Sequence, residues 1–316
     1  MASPSVTEIY NSMYAATLKK HGSKVVDQTF QRRPLYYWLT KKGRKGTHSG
    51  TAILTPVQLR EGTTATAFGR GHTFTESDPD LITMASYTMK NVGDSLTRYW
   101  DDEMQNAGKE QVIKLVTFNT EAKVKDLEKK VQSYMWQSSP GSGEPNGLPF
   151  FVSTAPTTGL VGGINRATET LWRNQYATAS GSAYTTLLDD MLSLQIECNK
   201  YGKNDALIVG KTFFTLYNAV AREQKWITDK AMGDAEFQTL GWSGLPLMLD
   251  TDCPAGYGYF LDSSTLEWLT DSRADLTWTA WKEKPNGLDR VAQLVLRCQL
   301  IANKLNANGV LSGVAA

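Results

Sequence analysis

Apolar residues recur every three or four positions after Gly108: Ile113, Val116, Thr120, Val124, Leu127, Val131 and Tyr134, with no Pro or Gly until Pro140. That period predicts one long amphipathic helix over 106–137. Glu121 with Lys125 and Asp126 with Lys130 sit four apart on its polar face, acid first, the order that suits the helix dipole. A second stripe, Leu187, Met191, Leu194 and Cys198, predicts another helix between Tyr184 and Tyr201, with Ser182 as N-cap and Gly202 as stop. Near the end the period falls to two. Ala292, Leu294, Leu296, Cys298, Leu300 and Ala302 alternate with Gln293, Arg297 and Gln299, which predicts a long strand whose apolar face packs on the long helix.

Between Gly46 and Lys90 the texture is that of β-structure. Ile53, Val57 and Leu59 precede Arg60-Glu61-Gly62, and Thr63, Thr64, Thr66 and Phe68 follow, which reads as a long hairpin. Leu81, Thr83, Ala85, Tyr87 and Met89 alternate along a further strand behind the turn-prone Ser77-Asp78-Pro79-Asp80. A buried strand at 206–209, a helix through Phe213, Phe214 and Tyr217, and strands at 245–249 and 257–261 make a compact α/β segment. Residues 1–45 lack a sustained period, although Tyr36-Tyr37-Trp38-Leu39 is too apolar for water; they read as an extended arm with an adhesive anchor.

Composition narrows the classes. A chain of 316 residues buries about 74% of its unfolded surface, enough for one large core or two modest ones. Three scattered cysteines, no CxxC pair and three histidines argue against a zinc site or a disulfide framework and for a reducing compartment. No apolar run is long enough to span a membrane, and the N-terminus lacks the layout of a signal peptide. The net charge of +1 conceals an asymmetry: residues 1–60 hold ten Lys/Arg against Glu8 and Asp27, a balance of +8, and the remainder balances at −7. Arg32, Arg33, Lys41, Lys42, Arg44 and Lys45 form the densest basic runs, suited to phosphate backbones or to an acidic partner surface.

Catalytic chemistry finds little support. Gly69-Arg70-Gly71, Gly159-Leu160-Val161-Gly162-Gly163 and Gly256-Tyr257-Gly258 lack the strand before and helix after that a nucleotide loop requires, so they read as turns. Asp101-Asp102 and Asp189-Asp190 are adjacent, and neighbours on a helix diverge by about 100°, so they read as wet faces or caps. The histidines all fall in the arm and hairpin, away from any serine or cysteine on a rigid frame. Cys198 and Cys298 lie on apolar stripes, where thiols are structural. The tryptophans are dispersed and read as core and interface anchors.

The order of parts, basic arm, long hairpin, long helix, α/β segment and long return strand, resembles the major capsid proteins of tailed double-stranded DNA phages, the Hong Kong ninety-seven type fold. Asp80, Thr83, Ala85, Tyr87 and Lys90 resemble the run leading out of that family's extended loop, and Asp102, Asn106, Gly108, Val112 and Ile113 the entry to its spine helix. Gly147-Leu148, Gly162-Gly163-Ile164-Asn165-Arg166 and Trp172-Arg173-Asn174 resemble the segment after the spine. The likeness runs from 46 to about 303.

The resemblance implies an α+β fold with an N-terminal arm (1–45), an extended β-hairpin loop (46–92), a peripheral domain (93–179) containing the spine helix 106–137, an axial domain (180–270), and return strands of the peripheral domain (271–316). It implies a non-catalytic shell protein without cofactor or metal, whose partners are further copies of itself in hexamers and pentamers and packaged double-stranded DNA, with portal, scaffolding and decoration proteins as further partners and no membrane. Its place would be the virion capsid, assembled in the host bacterial cytoplasm; with the chain starting at a short arm, scaffolding would be a separate protein. Glu61, Gly62, Phe68, Gly69 and Arg70 would be the inter-subunit loop. Two other readings stand beside this one: an encapsulin-type nanocompartment shell, and a cytosolic α/β enzyme built on residues 184–261.

Overall fold

The computed structural model describes residues 33–41, 45–60, 65–74, 81–105, 115–180, 184–223, 239–285 and 287–315. In chain order the elements are α1 (Pro34–Lys41), β1 (Lys45–Thr47), β2 (Ala52–Gln58), β3 (Ile82–Thr88), β4 (Lys90–Arg98), α2 (Trp100–Gln105) and α3 (Leu115–Met135). There follow α4 (Leu148–Phe151), β5 (Leu160–Val161), β6 (Ile164–Asn165), a 3₁₀ turn at Thr170–Trp172, β7 (Gln175–Thr178), α5 (Tyr184–Asn199), β8 (Ala206–Val209) and α6 (Lys211–Glu223). The last strands are β9 (Thr239–Trp242), β10 (Leu245–Leu249), β11 (Gly258–Leu261), β12 (Leu266–Thr270), β13 (Thr277–Trp278), β14 (Lys282–Glu283), β15 (Arg290–Ala302) and β16 (Gly309–Ser312). Two interleaved units result: Val92–Val131 with Arg273–Leu296, and Arg32–Asn91 with Gln132–Ser272 and Arg297–Ala316.

The larger unit is organised by a six-stranded mixed sheet in the order β7-β16-β11-β8-β10-β9. Its centre is β8, four buried apolar residues bounded by Asp205 and Gly210, parallel to β10 and antiparallel to β11. Such a run can be buried on both faces, as the centre of a mixed sheet demands. The α5 stripe of Leu187, Met191, Leu194 and Cys198 packs with Phe213, Phe214 and Tyr217 of α6 and with Leu207, Val209, Leu247 and Phe260 of the sheet. Each such side chain contributes about 1.5–3 kcal/mol by leaving water. Gly202 is more than a helix stop: a Cβ there would lie 2.5 Å from Asp262 Oδ2 and 2.6 Å from the Ala307 methyl.

Residues 34–41, expected as the apolar end of an extended arm, form a helix. Pro34 opens it, where a missing N–H costs nothing, and Leu35, Trp38 and Leu39 bury one stripe. Residues 1–32, the rest of that expected arm, lie outside the described residues. The start of α1 meets the end of α3 and the end of β10 at Asp250, a fully buried carboxylate. Its Oδ2 accepts from Leu35 N (3.3 Å), Gln132 Nε2 (2.8 Å) and Trp136 Nε1 (3.1 Å), and its Oδ1 from Asp252 N (2.9 Å). Gln132 in turn accepts from Tyr36 N at 3.2 Å. Burial pushes the Asp250 pKa above the usual carboxylate range, against the opposing pull of these donors.

α3 matches the expected long helix from Leu115 onward; the expected 106–114 lie outside the described residues. Its buried face is Leu127, Val131, Gln132 and Met135, while Val124 and Tyr134 of the predicted stripe are only half-buried. β15 spans both units. In the smaller unit it pairs with β13 through Thr277↔Val295 and Trp278↔Leu294, and with β14 through Lys282↔Val291. In the larger unit it pairs with β12 from Leu266↔Ala302 to Thr270↔Cys298, and β12 runs parallel to β1. The expected alternation holds as far as Leu296; from Cys298 on both faces are buried, Gln299 and Ile301 included.

Candidate assembly surface

The strand partner of β2 is β3, paired antiparallel from Ala52↔Thr88 to Gln58↔Ile82. This corrects the expected long hairpin that turned at Arg60-Glu61-Gly62 and returned through Thr63–Phe68, since residues 65–74 carry no strand. The reason lies in the faces: Ile53 and Val57 on β2 need apolar partners, and Ala85 and Tyr87 supply them, whereas Thr63, Thr64 and Thr66 offer none.

One face of this ribbon is buried and one is not. Ile53, Val57, Ala85 and Tyr87 point inward; Leu54, Ile82 and Met84 point outward at 64%, 60% and 54% exposure. The inner end is fastened to β15 and to the β5–β6 turn. Tyr87 Oη donates to Ala302 O (2.8 Å), Gln299 Nε2 to Thr88 O (2.8 Å), and Arg297 Nη2 to Gly50 O (3.0 Å). Arg297 also pairs with the buried Asp271 at 3.4 Å. Ser86 N donates to Gly162 O at 2.9 Å. Gly162 has φ +61, and a Cβ there would stand 2.9 Å from the Ala85 methyl and 3.1 Å from the Tyr87 ring, so both its conformation and its closeness demand glycine.

The outer end carries an aromatic cluster. Phe68 and Phe74 are 68% and 57% exposed, their rings edge-on at 5.0 Å. His72 stacks on Phe68 at 6.3 Å, meets Phe74 at 5.3 Å, and hydrogen-bonds Thr66 Oγ1 at 3.1 Å. Of the predicted loop residues, Phe68, Gly69 and Arg70 are exposed here, and Glu61 and Gly62 lie outside the described residues. Phe68 and Phe74 thus form an exposed apolar pair in the segment between the two strands of the ribbon.

The predicted basic residues separate. Lys45 is exposed on β1, whereas Arg33 is 9% exposed at the start of α1. Lys41 ends α1, and Arg32, Lys42 and Arg44 lie outside the described residues. The three thiols are free and buried, and burial pushes Cys198 up to about 12 and Cys253 well above its ordinary value, so neither is a nucleophile near neutral pH. Asp190, within α5, ties down the segment before that helix: it accepts from Ser180 N (2.7 Å) and Ser180 Oγ (2.8 Å). The Gly159, Gly162 and Gly163 loop is a turn at positive φ. Among the described residues no cluster of His, Cys, Asp and Glu is arranged to hold a metal, and no helix is long and apolar enough to cross a membrane.

Arg166 was not singled out by itself, and it is 2% exposed. Its Nη2 donates to Phe151 O and to Phe150 O (3.3 Å), closing the last turn of α4, and burial lowers its pKa to about 10. Sequence reading also missed a surface on the smaller unit. Tyr99, Trp100 and Leu288 are 52%, 44% and 69% exposed; Lys284 Nζ sits 5.4 Å from the Tyr99 ring and Arg98 6.0 Å from Trp281. The available signal was the spacing of aromatic and basic residues in Arg98-Tyr99-Trp100 and Trp281-Lys282-Glu283-Lys284.

No protein-family model matches this sequence, and no curated protein matches it significantly. Solved structures do match. The capsid asymmetric unit of cyanophage A-1(L) gives a TM-score of 0.68 at 15% identity, covering 94% of this chain and 97% of that one. The holo-SrpI encapsulin complex from Synechococcus elongatus gives 0.63 at 12%, covering 99% and 96%. The capsid of Myoviridae phage XM1 gives 0.58 at 13%, covering 95% and 98%. The chain has the phage major capsid fold, the α+β architecture that the order of its parts implied.

Proposed function

We propose that this chain is a major capsid protein that self-assembles, as hexamers and pentamers, into an icosahedral shell enclosing double-stranded DNA. The observation that carries the reading is the whole-length likeness to phage capsid chains: nothing large is added to the shell fold that would house another activity. The aromatic cluster supports it, since among the described residues Phe68 and Phe74 are left mostly uncovered. One sequence must serve both fivefold and sixfold surroundings, which rigid units joined to a far-reaching ribbon accommodate. Many contacts of ordinary size then add up through multivalency.

In this reading 1–45 is the inner arm, 46–92 the loop reaching a neighbour, 93–179 and 271–316 the peripheral domain, and 180–270 the axial domain. The basic residues of 1–60 meet DNA or acidic neighbouring surfaces. Portal, scaffolding and decoration proteins would complete the head in the host bacterial cytoplasm. The role is structural, not catalytic.

A nanocompartment shell is the second reading, favoured by the likeness to the encapsulin complex. Negative-stain microscopy and light scattering of the purified chain test both. Closed particles or capsomers with nuclease-protected DNA are expected; particles enclosing protein alone would select the nanocompartment, and a small oligomer under all assembly conditions would overturn the shell.

A further inference from the structure

α1 lacks, in its own sequence, the cap that its first turn needs. Tyr37 N donates to Arg33 O at 3.0 Å, which makes Arg33 the capping residue and Leu35 and Tyr36 the second and third helical positions. A capping side chain ordinarily accepts from one of those two N–H groups, and an arginine has no acceptor to offer. No acidic residue stands in the first turn either. The two N–H groups are satisfied across space instead, Leu35 N by Asp250 Oδ2 and Tyr36 N by Gln132 Oε1, from 215 and 96 positions away. Gln132 ties these two caps together by donating to the same Asp250 oxygen at 2.8 Å.

Two further observations set α1 apart within the larger unit. Eight residues are too few for a helix to hold in water by itself, so α1 keeps its shape only where these acceptors and its bed on β1 and β12 meet it. Its packing is also incomplete: Trp38 is 1% exposed, and its Nε1 donor has no hydrogen-bond partner among the described residues. Buried donors are as a rule satisfied, and opening of α1 would return this one to water. Leu35 and Leu39, buried beside it, oppose that opening.

We infer that α1 is a strap: Asp250 and Gln132 clasp its first turn, and the helix undocks and unfolds as a unit of its own while the six-stranded sheet stays folded. The clasp is what makes the strap close in one place, because both caps come from side chains that the sheet and α3 hold fixed. A closed shell sets one sequence in fivefold and sixfold surroundings, and a strap with two states lets the start of the subunit differ between them. That use rests on the shell reading; the clasp itself does not.

The test is hydrogen exchange followed by mass spectrometry on the unassembled full-length protein, over a series of urea concentrations below the unfolding transition. Residues 35–41 are expected to exchange at least tenfold faster than β8 and with little dependence on urea, the mark of an opening that exposes a small surface. Gln132→Met keeps the length of the side chain and removes both of its hydrogen bonds; it should speed exchange in 35–41 at least tenfold further. Circular dichroism verifies the variant, and the urea series on the wild type decides the matter should the variant not fold. Exchange of 35–41 at the rate and urea dependence of β8, or exchange that the folded variant leaves unchanged, overturns the inference. Particle formation by the wild type is scored separately by light scattering: particles whose subunits open α1 only with β8 leave the shell standing and remove the strap, and a separately opening α1 without particles does the reverse.

Discussion

Tyr87 and Ala302 are 215 positions apart in the chain, yet the phenolic hydroxyl of one donates to the carbonyl of the other at 2.8 Å, fastening the ribbon to the return strand. Burial raises the Tyr87 pKa far above its ordinary value, so the hydroxyl keeps its proton, and remains a donor, throughout the working pH range. Tyr87→Phe keeps the ring in place against Phe151 and leaves a buried carbonyl unsatisfied, at a cost of about 1–3 kcal/mol. Hydrogen exchange should accelerate in 82–88 before it does in β8.

Leu127 is 3% exposed on α3. Leu127→Ala should cost about 2–5 kcal/mol through lost burial and a residual cavity. Thermal unfolding of the unassembled subunit measures it; an unchanged midpoint with lost assembly would make this face of the helix an interface instead.

Asp250 gives a pH signature. Its raised native pKa means that the folded chain holds this proton more tightly than the unfolded chain. The stabilisation from that proton is full below the ordinary carboxylate range and is lost as pH rises through the native pKa. Asp250→Asn removes this dependence, so its stability should change less with pH across that window than the wild type's. At neutral pH it should still be less stable by about 1–3 kcal/mol, because the amide turns an N–H toward one of the donors now satisfied by the carboxylate. Melting midpoints over a pH series, taken for both proteins, check this.

Phe68→Ser with Phe74→Ser should leave the circular dichroism and melting midpoint of the subunit close to wild type, as both rings are mostly exposed. Particle yield should fall strongly. Wild-type yield would remove the aromatic end from assembly, and collapse of the subunit would place it on its own chain's core.

Neutralising Arg32, Lys41, Lys42, Arg44 and Lys45 together should lower DNA retention in particles, with an effect that is largest at low salt and shrinks as salt rises. Arg33 is left out because its burial makes replacement a stability experiment. Nuclease-protected DNA per particle, measured across salt concentrations, is the readout; unchanged content would exclude these residues from DNA contact.

Elements whose period and composition agreed were legible from the chain alone. Ala206–Val209, the stripe from Leu187 to Cys198 and the alternation from Ala292 to Leu296 are all local patterns, and burial of an apolar stripe enforces them whatever lies opposite. The helix at 34–41 was hidden because eight residues carry too few turns to display a period. The partner of β2 was hidden because strand pairing is chosen by matching faces across a gap, here Ile53 with Tyr87, and nearness in sequence misled. Gly202 looked like a helix stop and proved also to be a close approach to Asp262 and Ala307.

The amino-acid sequence by itself determined the order of parts, the long helix, the buried strands and the basic bias of the first sixty residues, because each depends on neighbours a few positions away. Tertiary structure alone decided that Asp250 gathers donors from three segments, that Arg33 leaves the solvent, and that Phe68 and Phe74 stay exposed. Those outcomes depend on which distant surfaces meet, and a one-dimensional pattern carries no record of the burial and hydrogen bonding that such meetings impose.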